Sequence, residues 1–242
     1  MASGKGLVFN ALGGLLLRDG QVTEVREVSS RFRWLRVHAD VVREATWTPG
    51  DKVQVLLPDL DTRTFTPIGW DRTASSTDFL LYLNQDAAAQ TAHPGTRFIR
   101  TVKAGDPFRF IGPQASLAAP PGKPWVLFGD ETSFAVALAL GGASPTRPTC
   151  VFEVESASEA ELVLAQLGLP NAVCVERTAG DTHLRVVSDA LERGLARERD
   201  ARLLMTGRAQ AIQALRKLRR TDGQTRPHKT KAYWSLGRAG LD

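Results

Sequence analysis

Trp125-Val126-Leu127-Phe128-Gly129-Asp130-Glu131-Thr132-Ser133 decides how this chain is built. The apolar residues read as a buried strand, the glycine ends it, and a helix follows across Phe134 to Leu140. A strand that turns straight into a helix places backbone N–H groups, and the positive end of the helix dipole, at the strand's carboxyl end. In an α/β sheet that position receives a pyrophosphate. Thr132 and Ser133 offer hydroxyls to such a group, whereas the anionic Asp130 and Glu131 exclude a tight phosphate cage of the P-loop kind. The same residues also describe a plain helix start, with Asp130 as its cap and Glu131 in its first turn.

Downstream the rhythm repeats. Thr149 to Val154 reads as a strand, Ser158 to Leu167 as a helix, Ala172 to Val175 as a strand and Val187 to Glu198 as a helix. Ala201 to Thr206 is then a strand and Gln210 to Arg220 a helix. Alternation of this kind implies right-handed crossovers and a parallel sheet. Upstream the pattern differs, with short alternating runs at Val22 to Val28, Phe32 to His38, Lys52 to Leu57, Arg63 to Thr66, Phe79 to Leu83 and Pro107 to Phe110. Turn signals such as Thr48-Pro49-Gly50-Asp51 and Ala104-Gly105-Asp106-Pro107 separate them, which predicts an antiparallel β-barrel. One helical start interrupts it, His93-Pro94-Gly95-Thr96-Arg97 leading into Phe98 to Val102. Ala118-Ala119-Pro120-Pro121-Gly122-Lys123-Pro124 suits neither helix nor strand and marks the link. The expected organisation is a barrel domain over residues 1–118 and a Rossmann-like α/β domain over 124–242.

Within the barrel half, Arg63-Thr64-Phe65-Thr66-Pro67 combines three groups that a flavin needs. On a strand, Arg63 and Phe65 project to one face and Thr64 and Thr66 to the other. A guanidinium then pairs with a phosphate, the ring lies along an isoalloxazine, and Thr66 offers a hydroxyl or backbone N–H to the flavin N5 edge. A half-buried edge strand has the same letters. Near the end of the second α/β strand, Phe152-Glu153-Val154-Glu155-Ser156 presents Glu155, which accepts from ribose hydroxyls and repels a 2′-phosphate. Arg177 and Arg208 offset that tilt toward NADH, so the choice between NADH and NADPH stays open.

The chain resembles a known family at four places. Arg63-Thr64-Phe65-Thr66 is similar to the Arg-x-Tyr-Thr/Ser flavin signature of the ferredoxin reductase superfamily. Phe128-Gly129-Asp130-Glu131-Thr132 and Lys231-Ala232-Tyr233-Trp234 resemble two marks of one branch, the siderophore-interacting proteins, which act as FAD-dependent ferric siderophore reductases. These motifs fall in the family's order and span almost the whole chain. Gly95-Thr96-Arg97-Phe98 resembles the family's second flavin segment, in which Gly95 lets backbone approach the ligand and Thr96 donates as an N-cap.

The resemblance implies that Arg63, Phe65, Thr66, Gly95 and Thr96 hold FAD. It assigns NAD(P)H to Gly129, Asp130, Glu131, Thr132 and Ser133, with Glu155 beside them. Tyr233 or Trp234 would cover the flavin face where nicotinamide enters, and Thr66 would steer N5. Lys231 and Lys229, with Arg97 and Arg100 one helical turn apart, would dock an anionic ferric siderophore. Three departures are visible: Phe65 replaces the usual Tyr, Tyr82 replaces a common His, and residues 84–92 are inserted or rearranged. The rival expectations are a reductase of the same fold with a protein or quinone acceptor, and a non-catalytic siderophore- or flavin-binding module. Ferredoxin is an alternative electron donor.

Composition agrees with a globular protein: of 242 residues, 43% are hydrophobic and 24% charged. The net charge of +5 favours anionic partners, but no RNA-binding aromatic signature or helix-turn-helix pattern accompanies it, so nucleic acid is not an expected partner. Cys150 and Cys174 lie in separate apolar runs and read as buried strand residues rather than a disulfide. His38, His93, His183 and His228 share no ligand spacing, and no protein-held metal is expected. The apolar run Leu7 to Leu17 is too short to span a bilayer and carries no cleavage site, which predicts a cytoplasmic protein. Oligomeric state is left open.

Overall fold

The computed structural model describes residues 16–84, 94–144, 148–198, 200–224 and 228–237; His93 and most of the stretches 7–17 and 84–92 lie outside them. The chain divides into two compact units, Met1–Ser116 and Leu117–Asp242. Among the described residues, no helix is long and apolar enough to cross a membrane.

Unit 1 holds β1 (Gln21–Glu27), β2 (Phe32–His38), α1 (Val41–Glu44), β3 (Lys52–Leu56), β4 (Thr62–Phe65), β5 (Gly69–Asp71), β6 (Ser76–Tyr82), α2 (Pro94–Thr101) and β7 (Arg109–Gln114). The strands form two antiparallel sheets, β1-β2-β6-β5 and β4-β3-β7. Isolated bridges Arg18↔Phe110 and Gln21↔Pro107 join them along one side. Inward residues of both sheets, among them Leu35, Val37, Val53, Val55, Phe79 and Phe110, share one core with Phe98 and Ile99 of α2. Helix α2 follows from its residues. Pro94 suits a first turn, where its missing N–H leaves no partner unserved. Gly95, Phe98 and Ile99 are buried on one side, while Arg97 and Arg100 are exposed. At its other end Arg33 Nη1 donates to the carbonyls of Ile99 and Arg100.

Three expectations for this unit are corrected. Thr96 lies inside the first turn of α2, so it is not the N-cap. Strand β6 begins at Ser76 rather than Phe79, because Thr77 turns inward and donates to the Gly69 carbonyl at 2.7 Å. Strand β7 continues through Pro113 to Gln114, a course open to proline because β7 lies at the edge of its sheet.

Unit 2 runs β8 (Trp125–Gly129), a 3-10 turn (Glu131–Ser133), α3 (Phe134–Gly142), β9 (Thr149–Val154), α4 (Ala157–Gln166), β10 (Val173–Glu176), a 3-10 turn (Ala179–Asp181), α5 (Leu184–Arg197), β11 (Arg202–Arg208), α6 (Ala209–Thr221) and β12 (His228–Trp234). All five strands are parallel, in the order β10-β9-β8-β11-β12. The chain winds outward from β8 to β10 and then returns to β11 and β12, so the order reverses between β8 and β11. That is the switch point at which α/β sheets bind ligands. Val126, Phe128, Val151, Leu203 and Met205 pack under α5 and α6. Cys150 is buried on β9 and Cys174 is half-buried on β10; burial pushes both thiols up to about 12.

The stretch that carries Lys229, Lys231, Tyr233 and Trp234 is a strand. Its residues His228 to Ala232 pair in register with Leu203 to Gly207 of β11. Lysines at positions 229 and 231 line this edge strand, a common way to discourage further pairing.

Candidate functional site

In unit 1 the antiparallel register sets Arg63 opposite Val55 and Phe65 opposite Val53. Val53 and Val55 point into the core, so Arg63 and Phe65 share the inward face at the margin of the sheet. The Phe65 ring lies 6.4 Å from that of Phe98 on α2. Arg63 Nη1 donates to Asp61 Oδ2 and to the Thr62 carbonyl, both at 2.7 Å. Its Nε reaches the start of α2: a Cβ added to Gly95 would stand 2.9 Å from it. Only glycine lets the helix start close on this guanidinium. A cation and the positive end of a helix thus meet at one place, a donor set that fits a phosphate. Thr66 follows β4 and is buried. Thr96 is half-buried in the same first helical turn.

In unit 2 the switch point holds carboxylates. Asp130, 1% exposed, accepts from the Thr132 N–H at 2.9 Å and the Thr132 hydroxyl at 2.5 Å on Oδ1. Its own N–H donates to Ser133 Oγ at 3.2 Å, which completes a capping box. On Oδ2 it accepts from Trp234 Nε1 at 2.7 Å, so the end of β12 is tied to the turn after β8. Gly207, at φ +90°, lies against the same carboxylate, and a Cβ there would fall 2.5 Å from Oδ2. Burial, and then the neighbouring Glu131 charge, push Asp130 up to about 6 against the hydrogen bonds from Thr132 and Trp234.

Glu131 and Glu153 organise the strand ends beside it. Glu131 accepts from the Glu155 N–H at 2.6 Å and from Arg177 Nη2 and Nη1 at 2.7 and 2.8 Å. Arg177 also donates to the Glu153 carbonyl at 3.0 Å. Burial works against the Arg177 charge, and the Glu131 hydrogen bond and charge outweigh it. Glu153, fully buried, receives Arg208 Nε and Nη2, both at 2.9 Å, and His183 Nε2 at 2.9 Å. The Thr178 N–H donates to His183 Nδ1, which leaves Nε2 as the protonated nitrogen. Arg208 also binds Asp181, whose carboxyl is lowered first of all by that hydrogen bond.

The structure therefore brings Arg63, Phe65 and Gly95 together in unit 1, and Gly129, Asp130, Thr132, Ser133 and Trp234 together in unit 2. Thr132 and Ser133 turn their hydroxyls to Asp130. Glu155 sits half-buried just past β9, Lys229 is exposed on β12, Lys231 is half-buried there, and Tyr233 is the extra residue where the register shifts. Sequence reasoning missed the pairing of Glu131 with Arg177 and of Glu153 with Arg208. Glu153 inside an otherwise apolar strand was the available signal, since a buried carboxylate needs a partner. Carboxylates at the switch point accept hydrogen bonds, so this edge fits hydroxyl and amide donors of a nucleotide better than its phosphates. Among the described residues no cluster of His, Cys, Asp and Glu is arranged to hold a metal ion.

No family sequence model and no curated protein matches this sequence. The structure is similar to a siderophore utilization protein from T. fusca, with 21% identity over 93% of this chain and 95% of that one and a TM-score of 0.71. It is also similar to the siderophore-interacting protein SipS from Aeromonas hydrophila, at 18% identity over 92% and 93% of the two chains, with a TM-score of 0.70. The chain has a ferredoxin-reductase-like fold. A ferredoxin-NADP+ reductase from Plasmodium falciparum shares this fold at 10% identity, over 90% of this chain and 96% of that one, with a TM-score of 0.63. In this reductase-like fold an antiparallel barrel leads and a Rossmann-like α/β unit follows, the order predicted from the strand and helix rhythm.

Proposed function

We propose that the protein is a flavin-dependent reductase in which unit 1 holds FAD, unit 2 takes a nicotinamide dinucleotide, and the electron acceptor is a ferric siderophore. The observation that carries the reading is the meeting of Arg63 with the glycine-opened start of α2. Likeness to proteins described as siderophore-interacting supports the acceptor. When bound, a flavin accepts two electrons from a nicotinamide and passes single electrons to Fe(III). The protein's share is positioning. Arg63 and the first N–H groups of α2 bind phosphate, Phe65 offers ring surface, and Thr66 a hydrogen bond near N5. Asp130, Glu131 and Glu155 accept from nucleotide hydroxyl and amide groups, while Trp234 and Tyr233 provide aromatic surface at the end of β12. Lys229, Lys231, Arg97 and Arg100 attract an anionic ferric chelate. Reduction frees the iron because hard oxygen donors hold Fe(II) more weakly than Fe(III).

FAD titration monitored by the flavin spectrum tests the reading. Arg63→Ala weakens FAD binding by about 1.5 to 3 kcal/mol, the scale of a charge-assisted hydrogen bond. Unchanged affinity defeats the flavin assignment. NADH or NADPH then bleaches the bound flavin anaerobically; failure of both, with success of reduced ferredoxin, moves the donor role to a protein.

A further inference from the structure

We propose that unit 2 selects a dinucleotide lacking a 2′-phosphate, because Glu131 and Glu153 already hold the two arginines that would receive one. This rests on the reading of unit 2 as a nicotinamide dinucleotide unit. In such sheets the adenosine ribose is read at the carboxyl end of the second strand, where a carboxylate accepts from the 2′-hydroxyl and a nearby arginine accommodates a 2′-phosphate. Here the second strand is β9, and the arginines whose hydrogen bonds reach its end are Arg177 and Arg208.

Both guanidiniums are already paired with carboxylates. Arg177 faces the Glu131 carboxylate with both terminal nitrogens and adds a bond to the Glu153 carbonyl. Arg208 grips Glu153 through Nε and Nη2 and Asp181 through Nη1 and Nη2. Glu131 is 6% exposed and Glu153 fully buried, so a phosphate that took over these paired donors would leave behind carboxylates that water cannot reach. It would do so beside Glu155 and Asp130, where carboxylates outnumber guanidiniums. A 2′-hydroxyl meets the opposite situation, since it donates to a carboxylate without disturbing either pair.

Calorimetric titration of the full-length protein, loaded with oxidised flavin, with NAD+ and with NADP+ tests this without turnover. We expect NAD+ to bind at least about ten-fold more tightly. Arg177→Gln, which still donates to Glu131, leaves NADP+ affinity within about three-fold, because the guanidinium takes no part. Glu131→Gln removes the negative charge that neutralises Arg177 and narrows the preference about ten-fold by tightening NADP+. Should Glu131→Gln fail to fold by circular dichroism, wild type and Arg177→Gln decide. Equal or tighter NADP+ binding by the wild type overturns the proposal, as does a ten-fold NADP+ loss in Arg177→Gln or an unchanged preference in folded Glu131→Gln. If neither dinucleotide binds, the reading of unit 2 falls and this inference with it, whereas binding of both without preference removes the inference alone.

Discussion

Unit 1 brings a cation to the start of a helix, and unit 2 brings carboxylates to one. At α2 the guanidinium of Arg63 approaches Gly95; in the 3-10 turn that leads into α3, Asp130 is the cap and Glu131 reaches across to Arg177. Both arrangements use a glycine for close approach, but the neighbours differ in freedom. Gly95 meets the far end of a side chain that is one-third exposed, whereas Gly207 meets a buried carboxylate fixed by Trp234 and Thr132. The first site can adjust to an arriving group, whereas the carboxylates of the second are held in place before one arrives.

The sharpest way to break this contrast is a matched pair of alanines. Gly207→Ala adds a Cβ at φ +90° into the Asp130 carboxyl group and is expected to destabilise unit 2 by about 3 to 5 kcal/mol. Gly95→Ala only pushes aside the Arg63 side chain, so stability should change by no more than about 1 kcal/mol while FAD affinity falls. Urea unfolding of both variants, with FAD titration of the second, checks the pair. Equal stability losses would show that the two glycines serve the same purpose.

The acidity of the second site offers the next test. Asp130 titrates at about 6 in the folded protein against 3.8 in an unconstrained chain. Below about pH 4 the group is protonated in both states and adds no penalty. As pH rises toward 6 the unfolded chain releases its proton first, so folding loses stability, and above the folded value the loss is complete. The effect amounts to about 3 kcal/mol at 1.4 kcal/mol per pH unit. Asp130→Asn should lack this slope between pH 4 and 6.5, while the opposing contribution of Asp181 is common to both proteins and cancels in their difference. Parallel stability profiles for variant and wild type would place Asp130 outside the cause.

Much of the fold was legible because its strands carry their own apolar pattern. Phe32–His38 and Thr149–Val154 were bounded correctly from pattern alone. Strand β12 was not, because His228-Lys229-Thr230-Lys231 has no apolar face and takes its conformation from pairing with β11. The candidate residues show the same division. Arg63 and Gly95 each signal a role by residue type, but their approach depends on α2 packing onto the barrel core through Phe98 and Ile99. The Glu131–Arg177 and Glu153–Arg208 pairs join separate strand ends, and no local spacing encodes them.

Trp234 sharpens the comparison further, since it links an edge strand to the Asp130 turn. Trp234→Phe keeps a ring and deletes the N–H that donates to Oδ2. A hydrogen bond to a charged acceptor is worth about 1.5 to 3 kcal/mol, and the variant should lose that much stability at pH 7.5. Its loss at pH 4 should be smaller, because a neutral carboxyl accepts more weakly. Stability curves at the two pH values measure the difference, and an equal loss at both would assign Trp234 to packing alone.

The smallest expected effect belongs to Lys231, whose role in the proposed function is long-range attraction rather than contact within a buried network. It lies on β12 opposite Thr206, two residues before Tyr233 and three before Trp234. A half-buried lysine in the middle of an edge strand contributes no more than about 1 kcal/mol to an encounter, and salt screens it over a Debye length of about 8 Å near physiological ionic strength. Lys231→Glu should therefore slow reduction of an anionic ferric chelate several-fold at low salt, with the difference shrinking as salt is added. Flavin reduction by a nicotinamide should change little, because the carboxylates that organise the switch point stay in place. Stopped-flow measurement of the two half-reactions separates these outcomes. Equal slowing of both would mean that the substitution disturbs the Asp130 and Trp234 linkage itself, and the lysine would then belong to the closed site of unit 2 rather than to a docking surface.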